Sequence, residues 1–257
     1  MDTQIAENIA NIKQRIAVVA ASCGRDPHSI KLMAVTKTVA AERIPQAIEA
    51  GITMLGENYV QEAKEKIAIL RDREFNGASG IRRIYSADAC PAHAGSVFQQ
   101  PQWHMIGHLQ TNKAKYAVHL FDYIHSVDRR ELAKELDKRA GIANHHLNIL
   151  IEVNVSGEQT KNGIPAAEAL SLVEQIAPLP NLTIRGLMTM APYSDNPENS
   201  RPYFAALRKL KNEIAAQSIP RVQMDELSMG MTDDFAVAIE EGATIVRIGR
   251  AIFGERP

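Results

Sequence analysis

A lysine that closes an apolar, strand-like run is the residue of this chain best suited to covalent chemistry. Lys37 follows the run Leu32-Met33-Ala34-Val35 and precedes residues 38–44, which have the pattern of a helix start. Burial at a strand end lowers the pKa of an amine, and a neutral amine can form a Schiff base with an aldehyde. A snorkelling lysine, whose stem packs while its ammonium reaches water, fits the same position. On position alone snorkelling is the favoured interpretation, so other residues must decide.

The second candidate is an anion-binding junction in the run Glu226-Leu227-Ser228-Met229-Gly230-Met231-Thr232-Asp233-Asp234. The run has the pattern of a strand end, a small-residue turn and a helix start, with Thr232 or Asp233 as the predicted N-cap. Backbone N–H groups at such a junction, a serine hydroxyl and the helix dipole can together hold a phosphate. For this motif alone, a capped helix without a ligand is the favoured interpretation.

The third candidate lies in the last apolar run, Val246-Arg247-Ile248-Gly249-Arg250-Ala251-Ile252-Phe253-Gly254. Gly249 permits a ligand to approach the backbone closely, and α/β barrels often hold phosphates between the loops after strands seven and eight. Arg247 shares the parity of Ile245, so we expect it to point inward, where an unpaired guanidinium is costly. A ring nitrogen, a ligand phosphate or a carboxylate such as Glu152 could accept its hydrogen bonds, and spacing supports an ordinary salt bridge equally well.

Short apolar runs that alternate with helix-like segments must position these residues. We predict strands at residues 32–36, 53–56, 103–106, 123–127, 148–155, 183–190, 225–229 and 244–249. The segments between them are helix-rich and have the length that right-handed crossovers need. Eight such steps predict an α/β fold, a single (β/α)8 TIM-like barrel over residues 1–257. An amphipathic helix at residues 3–23 is expected to complete the outer ring, because no helix is predicted after the last strand.

Two segments refine this prediction. In residues 148–155 the odd positions are apolar, while Glu152 and Asn154 share the other face, which we expect to point into the barrel. Residues 74–102 are too long for an ordinary strand-to-helix connection and are predicted to form a surface insertion. A functional lid and a solvated excursion away from the site both remain open for it.

Taken together, an amine, an anion site and an inward arginine suit pyridoxal 5′-phosphate. The sequence closely resembles the pyridoxal phosphate homeostasis protein family, whose barrel is related to the N-terminal domain of alanine racemase. The motifs that carry the resemblance run nearly from end to end of the chain and are residues 31–38 (KLMAVTKT), 56–62 (GENYVQE), 103–113 (WHMIGHLQTNK), 156–163 (SGEQTKNG), 186–190 (GLMTM), 227–231 (LSMGM) and 246–254 (VRIGRAIFG).

The resemblance implies a role for each matching residue. Lys37 is implied to be the Schiff-base lysine, with Asn58 beside that linkage and Met188 packed close to the ring. Arg247 is implied to face the pyridine nitrogen. The residues implied to hold the phosphate, through side-chain or backbone donors, are Ser228, Gly249 and Arg250. Position 250 varies in type across the family, so only the N–H of Arg250 is expected to take part. Residues 74–102 depart from the family pattern, and nothing is transferred to them.

Composition restricts the remaining possibilities. The 257 residues are 45% hydrophobic and 23% charged with a formal net charge of -1, which argues against tight binding to nucleic acid or anionic membranes. The sequence has no apolar stretch of membrane-spanning length and begins with polar, acidic residues, so we expect a cytoplasmic protein. Cys23 and Cys90 have neither metal-ligand nor disulfide-scaffold spacing. His104 and His108 flank a predicted strand exit rather than share a helix face, so no metal is expected.

Three functions remain open. The first is a non-enzymatic protein, expected to be a monomer, that binds and buffers pyridoxal phosphate and passes it to apo forms of enzymes that use it. The second is a weak amino-acid racemase. Arginine stays protonated and does not support a pyridinium, which disfavours transamination. Related racemases take a second acid/base from a further domain, for which this sequence leaves no room. The third is a barrel that binds another phosphorylated metabolite and uses Lys37 only as a charge.

Overall fold

The computed structural model describes residues 3–75, 100–158 and 160–255. Within them, eight parallel strands close into a barrel in the order β4-β3-β2-β1-β9-β8-β7-β5, with β5 pairing back to β4, and the short β6 pairs with β5 outside the ring. The strands are β1 Lys31–Val35, β2 Met54–Glu57, β3 Gln102–Met105, β4 Tyr123–Val127, β5 Leu147–Asn154, β6 Ile164–Pro165, β7 Leu182–Met188, β8 Val222–Ser228 and β9 Ile245–Ile248.

Helices alternate with these strands and form the outer layer. They are α1 Thr3–Ser22, α2 Ile44–Glu49, α3 Val60–Phe75, α4 Ala114–Leu120, α5 Arg130–Ile142, α6 Ala169–Ile176, α7 Arg201–Ala216, α8 Phe235–Glu240 and α9 Arg250–Phe253. The predicted (β/α)8 barrel is therefore confirmed. All eight predicted strands occur, and β6 and α4 were not predicted.

Helix α1 lies where the sequence predicts it, whereas the last helix, α9, was not predicted. Helix α1 packs against α2, α8 and α9, so it fills the gap in the outer ring. Its inner stripe, which includes Ile5, Ile9, Ile12 and Ile16, is buried in the main core. A short helix, α9, does follow β9, although none was expected, and Gly249 is its N-cap residue.

Alternating parity divides each strand between the helix-facing core and the barrel interior. In β5, Ile149, Ile151 and Val153 belong to the core under the helices, whereas Glu152 is buried on the opposite, inward face as predicted. Met33, Met54 and Ile245 form a separate apolar cluster inside the barrel. Apolar side chains therefore fill the barrel interior at one level, and polar side chains occupy another level.

The predicted surface insertion, residues 74–102, lies mainly outside the described residues. Helix α3 continues to Phe75 and β3 begins at Gln102. Cys90 belongs to the same undescribed stretch, while Cys23 is a free, exposed thiol. Among the helices that the structure describes, none combines the length and hydrophobicity required to span a bilayer.

Candidate functional site

The predicted cofactor residues meet at one end of the barrel. They belong to strands that are consecutive around the ring, β2, β1, β9, β8 and β7. Because all these strands are parallel, their carboxyl ends share one rim, where α/β barrels place their sites. Lys37 follows β1, Asn58 follows β2, Met188 ends β7, Ser228 ends β8, Arg247 lies in β9, and Gly249 and Arg250 form the junction from β9 to α9.

Lys37 is half-buried and lies on a tight turn just beyond β1. The turn is closed by the Val39 N–H, which donates to the Thr36 carbonyl over 2.9 Å. Thr38 has a φ of 62°, a left-handed conformation that β-branched residues rarely adopt. Lys37 is therefore not on a freely moving loop, because the residues on both sides of it are fixed by contacts with their neighbours.

Asn58 is fixed by the close approach of another strand end. The backbone of Asn58 lies directly against Gly107, where an added Cβ would sit only 2.4 Å from the Asn58 carbonyl oxygen. A side chain at position 107 is thus excluded by the path of residue 58. This contact joins the ends of β2 and β3 beside the Lys37 turn.

A buried chain of hydrogen bonds crosses the barrel interior below the rim. The His104 and His125 rings are joined through Nδ1 and Nε2 at 2.9 Å, and His125 Nδ1 lies 3.1 Å from the Ser228 hydroxyl. Arg247 donates to the same hydroxyl over 2.8 Å and to the Thr189 carbonyl over 2.8 Å. Arg247 thus points inward as predicted. Its observed acceptors are protein groups that were not foreseen.

Burial determines the charges of the two histidines and the arginine in this hydrogen-bonded chain. Complete burial lowers the pKa of His104 to about 3, and the pKa of His125 is also lowered by burial and by its neighbour His104. Both imidazoles are therefore neutral at pH 7. Burial lowers the pKa of Arg247 only to about 10, so its guanidinium stays charged.

Glu152 lies in the same interior and behaves differently from a surface carboxylate. Burial, reinforced by Asp128, raises its pKa to about 7, while Arg247 acts in the opposite direction. Its Oε2 atom is buried without a hydrogen-bond partner. An acid with this pKa can carry or release a proton near neutral pH, which makes it the most protonation-sensitive group of the interior.

The two predicted phosphate junctions differ in detail from expectation. The Ser228 hydroxyl is fully buried and bonded to Arg247 and His125. The residue before α8 is Asp234, so the predicted N-cap at Thr232 or Asp233 is wrong by one or two positions. The Asp234 carboxylate instead accepts the Met231 N–H over 2.7 Å and the Ser200 hydroxyl over 3.0 Å.

The backbone of the junction from β9 to α9 lies at the rim. Gly249 occupies the N-cap position of α9, and the first N–H groups of a helix have no acceptor within it. The Arg250 side chain turns away, and its Nη2 atom donates to both carboxylate oxygens of Asp233 over 2.6 and 2.8 Å. Arg250 is about half exposed in this pair, so its guanidinium is committed to the surface.

The sequence did not predict that His104, His125 and Thr189 would belong to the buried hydrogen-bonded chain inside the barrel. The two histidines lie next to strand residues of the helix-facing core, Trp103 and Met105 in β3 and Ile124 in β4, so the parity argument applied to β5 would have found them. His104 lies within β3 and His108 beyond its end, so they do not share a helix face. In residues 3–75, 100–158 and 160–255, no group of three or more candidate metal ligands occurs.

The parallel barrel that carries these residues belongs to the class of the alanine racemase N-terminal domain. The profile described as the N-terminal domain of alanine racemase matches residues 7–257. The alanine racemase of Clostridium difficile 630 shares this fold, with a TM-score of 0.68, 12% identity and coverage of 98% of this chain and 57% of its own.

Closer relatives identify the family. The chain is 41% identical over 250 residues to the pyridoxal phosphate homeostasis protein of Aquifex aeolicus, covering 97% of each protein. It superimposes on the PipY protein of Synechococcus elongatus with pyridoxal phosphate bound, with a TM-score of 0.77, 33% identity and coverage of 98% and 100%. The chain belongs to the pyridoxal phosphate homeostasis protein family.

Proposed function

We propose that the chain binds pyridoxal 5′-phosphate reversibly at Lys37 and thereby buffers the free cofactor. The observation that carries the proposal is the position of Lys37 on a fixed turn between the ends of β2 and β9. On one side lies Asn58 and on the other the Gly249 turn and Arg247. The bound cofactor in PipY, which aligns with 98% of this chain, supports the same ligand here.

The donors around this rim suit the chemistry of the ligand. Pyridoxal phosphate supplies an aldehyde that captures an amine, an anionic phosphate and a ring nitrogen. Lys37 would provide the amine, and the backbone of the Gly249 turn, with Arg250 contributing only its N–H, would hold the phosphate. Asn58 and the buried Met188 would border the ring. The Ser228 hydroxyl would act mainly through Arg247, to which it is bonded.

Arg247 favours storage of the cofactor over catalysis. A charged guanidinium next to the ring nitrogen opposes its protonation, and the protonated ring is what makes this cofactor a strong electron sink. Arg247 is held by Ser228 and Thr189 and keeps its charge at neutral pH. We therefore propose a protein without robust catalysis, acting in the cytoplasm, that hands the cofactor to apo enzymes.

Borohydride reduction followed by peptide mass spectrometry tests the attachment. The peptide containing Lys37 should gain the mass of the reduced cofactor, and Lys37→Ala should remove the label. Lys209→Ala is a matched control, because Lys209 is a highly exposed lysine on α7. An unlabelled Lys37 peptide after saturation with pyridoxal phosphate would refute this function and leave binding of another phosphorylated metabolite.

A second assay separates buffering from racemisation. The holoprotein is incubated with L-alanine or D-alanine, and the enantiomers are resolved by chiral chromatography. We expect no turnover above the free cofactor. Turnover that Lys37→Ala abolishes would establish the racemase instead.

Delivery to other proteins is tested by mixing the holoprotein with an apo form of a pyridoxal phosphate enzyme. The recovered activity should rise faster than with the same concentration of free cofactor if the chain passes its ligand on directly. An equal rate would limit the function to buffering.

A further inference from the structure

A buried ion cluster lies behind Lys37, outside the barrel wall and under α3. We call it the Lys66 cluster and define it as Thr36, Glu57, Glu62 and Lys66. The Lys66 ammonium donates to the Thr36 carbonyl over 2.5 Å, to Glu57 Oε1 over 2.7 Å and to Glu62 Oε1 over 2.7 Å. An ammonium has three N–H donors, so these contacts use all of them.

The Lys66 cluster is bonded to both peptide groups that flank Lys37. The carbonyl of Thr36 belongs to the peptide bond before Lys37 and accepts from Lys66. The N–H of Thr38 belongs to the peptide bond after Lys37 and donates to Glu62 Oε1 over 2.5 Å. The Thr36 hydroxyl also donates to Glu57 over 2.7 Å. The backbone on either side of Lys37 is therefore fixed by side chains of β2 and α3.

This arrangement carries costs that packing alone does not require. Glu57 is fully buried, and its Oε2 atom has no hydrogen-bond partner. A buried ion pair is frequently no more stabilising than apolar side chains of similar volume. Thr38 is held in a left-handed conformation, which costs on the order of 1–3 kcal/mol for a non-glycine residue. Strain of this kind persists only where the surrounding contacts over-determine it.

We propose that Glu62 and Lys66 are positioning residues, which set the direction from which the Lys37 amine approaches an aldehyde. The inference rests on the proposed function. In that step the Lys37 nitrogen forms a bond to the aldehyde carbon, and the carbonyl oxygen leaves as water with the two amine hydrogens. The attack requires a defined angle, and an error of about 1 Å in placement can cost about 100-fold in rate. The Lys66 cluster supplies this geometry without touching the ligand.

Glu62→Ala is the central test, because Glu62 is only partly buried and the variant retains the Lys66–Glu57 pair. Glu62→Gln is the conservative variant, since its amide oxygen can still accept from Thr38. Glu65→Ala is the matched control on the same helix, because Glu65 is exposed and its carboxylate accepts from the Gln61 side chain over 2.9 Å. Lys66→Met is the second, more severe variant.

Two measurements distinguish positioning from folding. The first is the rate at which borohydride traps pyridoxal phosphate on Lys37. The second is the affinity for pyridoxine 5′-phosphate, which has an alcohol in place of the aldehyde and cannot react with the amine. We expect Glu62→Ala to slow trapping by roughly 10-fold or more with analogue affinity within about twofold. Glu62→Gln should recover most of the rate, and Glu65→Ala should match the wild type.

The outcomes separate this inference from the function on which it rests. Wild-type trapping at Lys37 together with unchanged trapping in Glu62→Ala would overturn the positioning role alone. Equal losses of trapping and analogue affinity would also overturn it, because they indicate a general structural defect. A wild-type protein that traps no cofactor would instead refute the proposed function, and the positioning role with it. If Lys66→Met does not fold, the Glu62 series still decides.

Discussion

Gly107→Ala should displace Asn58 and slow capture of the cofactor aldehyde by Lys37. The added methyl carbon would lie 2.4 Å from the Asn58 carbonyl oxygen and 2.7 Å from its Cα, and both are backbone atoms. Ordinary contacts begin at 3.4 Å, so the two strand ends must separate by about 1 Å. Because Asn58 immediately follows β2, next to the Lys37 turn, this separation is transmitted to the rim of the site.

The expected magnitudes follow from that displacement. An overpacked contact of this kind costs about 1–3 kcal/mol of stability. A shift of about 1 Å beside the reacting amine should slow adduct formation by roughly 10- to 100-fold. Stability is measured by urea unfolding, and adduct formation by borohydride trapping and peptide mass spectrometry at Lys37.

Gly24→Ala provides the matched control. Gly24 has a φ of 70° with open space around its Cβ position, so this variant strains the backbone after α1 without a clash. It should lose about 1 kcal/mol of stability and trap the cofactor at the wild-type rate. The reasoning would be refuted if Gly107→Ala also trapped at the wild-type rate, because the 2.4 Å contact would then not control the position of Asn58.

Three further predictions concern charge. Burial holds the pKa of His104 at about 3, below its unfolded value of 6.5, so the unfolded chain gains the proton first as pH falls. Between pH 7.5 and 5.5 the wild type should lose about 1.4 kcal/mol more unfolding free energy than His104→Phe, and equal losses would contradict the burial argument. The contribution of Glu152 to stability has the opposite pH dependence. Its pKa is raised from 4.5 to about 7, so its stabilising effect is lost as pH rises through 7. Relative to wild type, Glu152→Gln should therefore gain about 2–3 kcal/mol of unfolding free energy from pH 5 to pH 8. A stability difference that does not change with pH would contradict the burial of this acid. Arg250→Ala should change the dissociation constant for pyridoxal phosphate by less than about twofold, since its side chain pairs with Asp233. A tenfold weaker affinity would place that guanidinium on the phosphate.

The barrel could be predicted from sequence because its strands are marked by local patterns. The alternation in β5 identified both its helix-facing residues and the inward Glu152, and the stripe of isoleucines in α1 identified a helix of the outer ring. Helix α9 could not be predicted in this way, because its four residues cover about one turn and therefore show no repeat of a hydrophobic position. Strand β6 has only two residues, so it carries no alternation at all.

Positions within the candidate site could be predicted only where one residue carries its own signal. Lys37 closes a strand, and Arg247 follows the parity of Ile245, so both could be placed without a structure. The acceptors of Arg247 could not be, because Ser228 and Thr189 reach it from β8 and from the end of β7. The link from Lys66 to Thr36 joins residues of α3 and the end of β1, and no sequence period encodes such a contact.

The two buried layers around Lys37 have different consequences for the proposed storage function. The interior chain from His104 to Arg247 contains neutral imidazoles and one permanent charge, and Glu152 is the interior group that can change its protonation state near neutral pH. The Lys66 cluster acts from outside the wall and fixes the backbone of the amine. A fixed amine captures an aldehyde quickly, whereas a ring held unprotonated does not withdraw electrons strongly from the adduct. This combination favours attachment and release of the cofactor over chemistry on a bound amino acid.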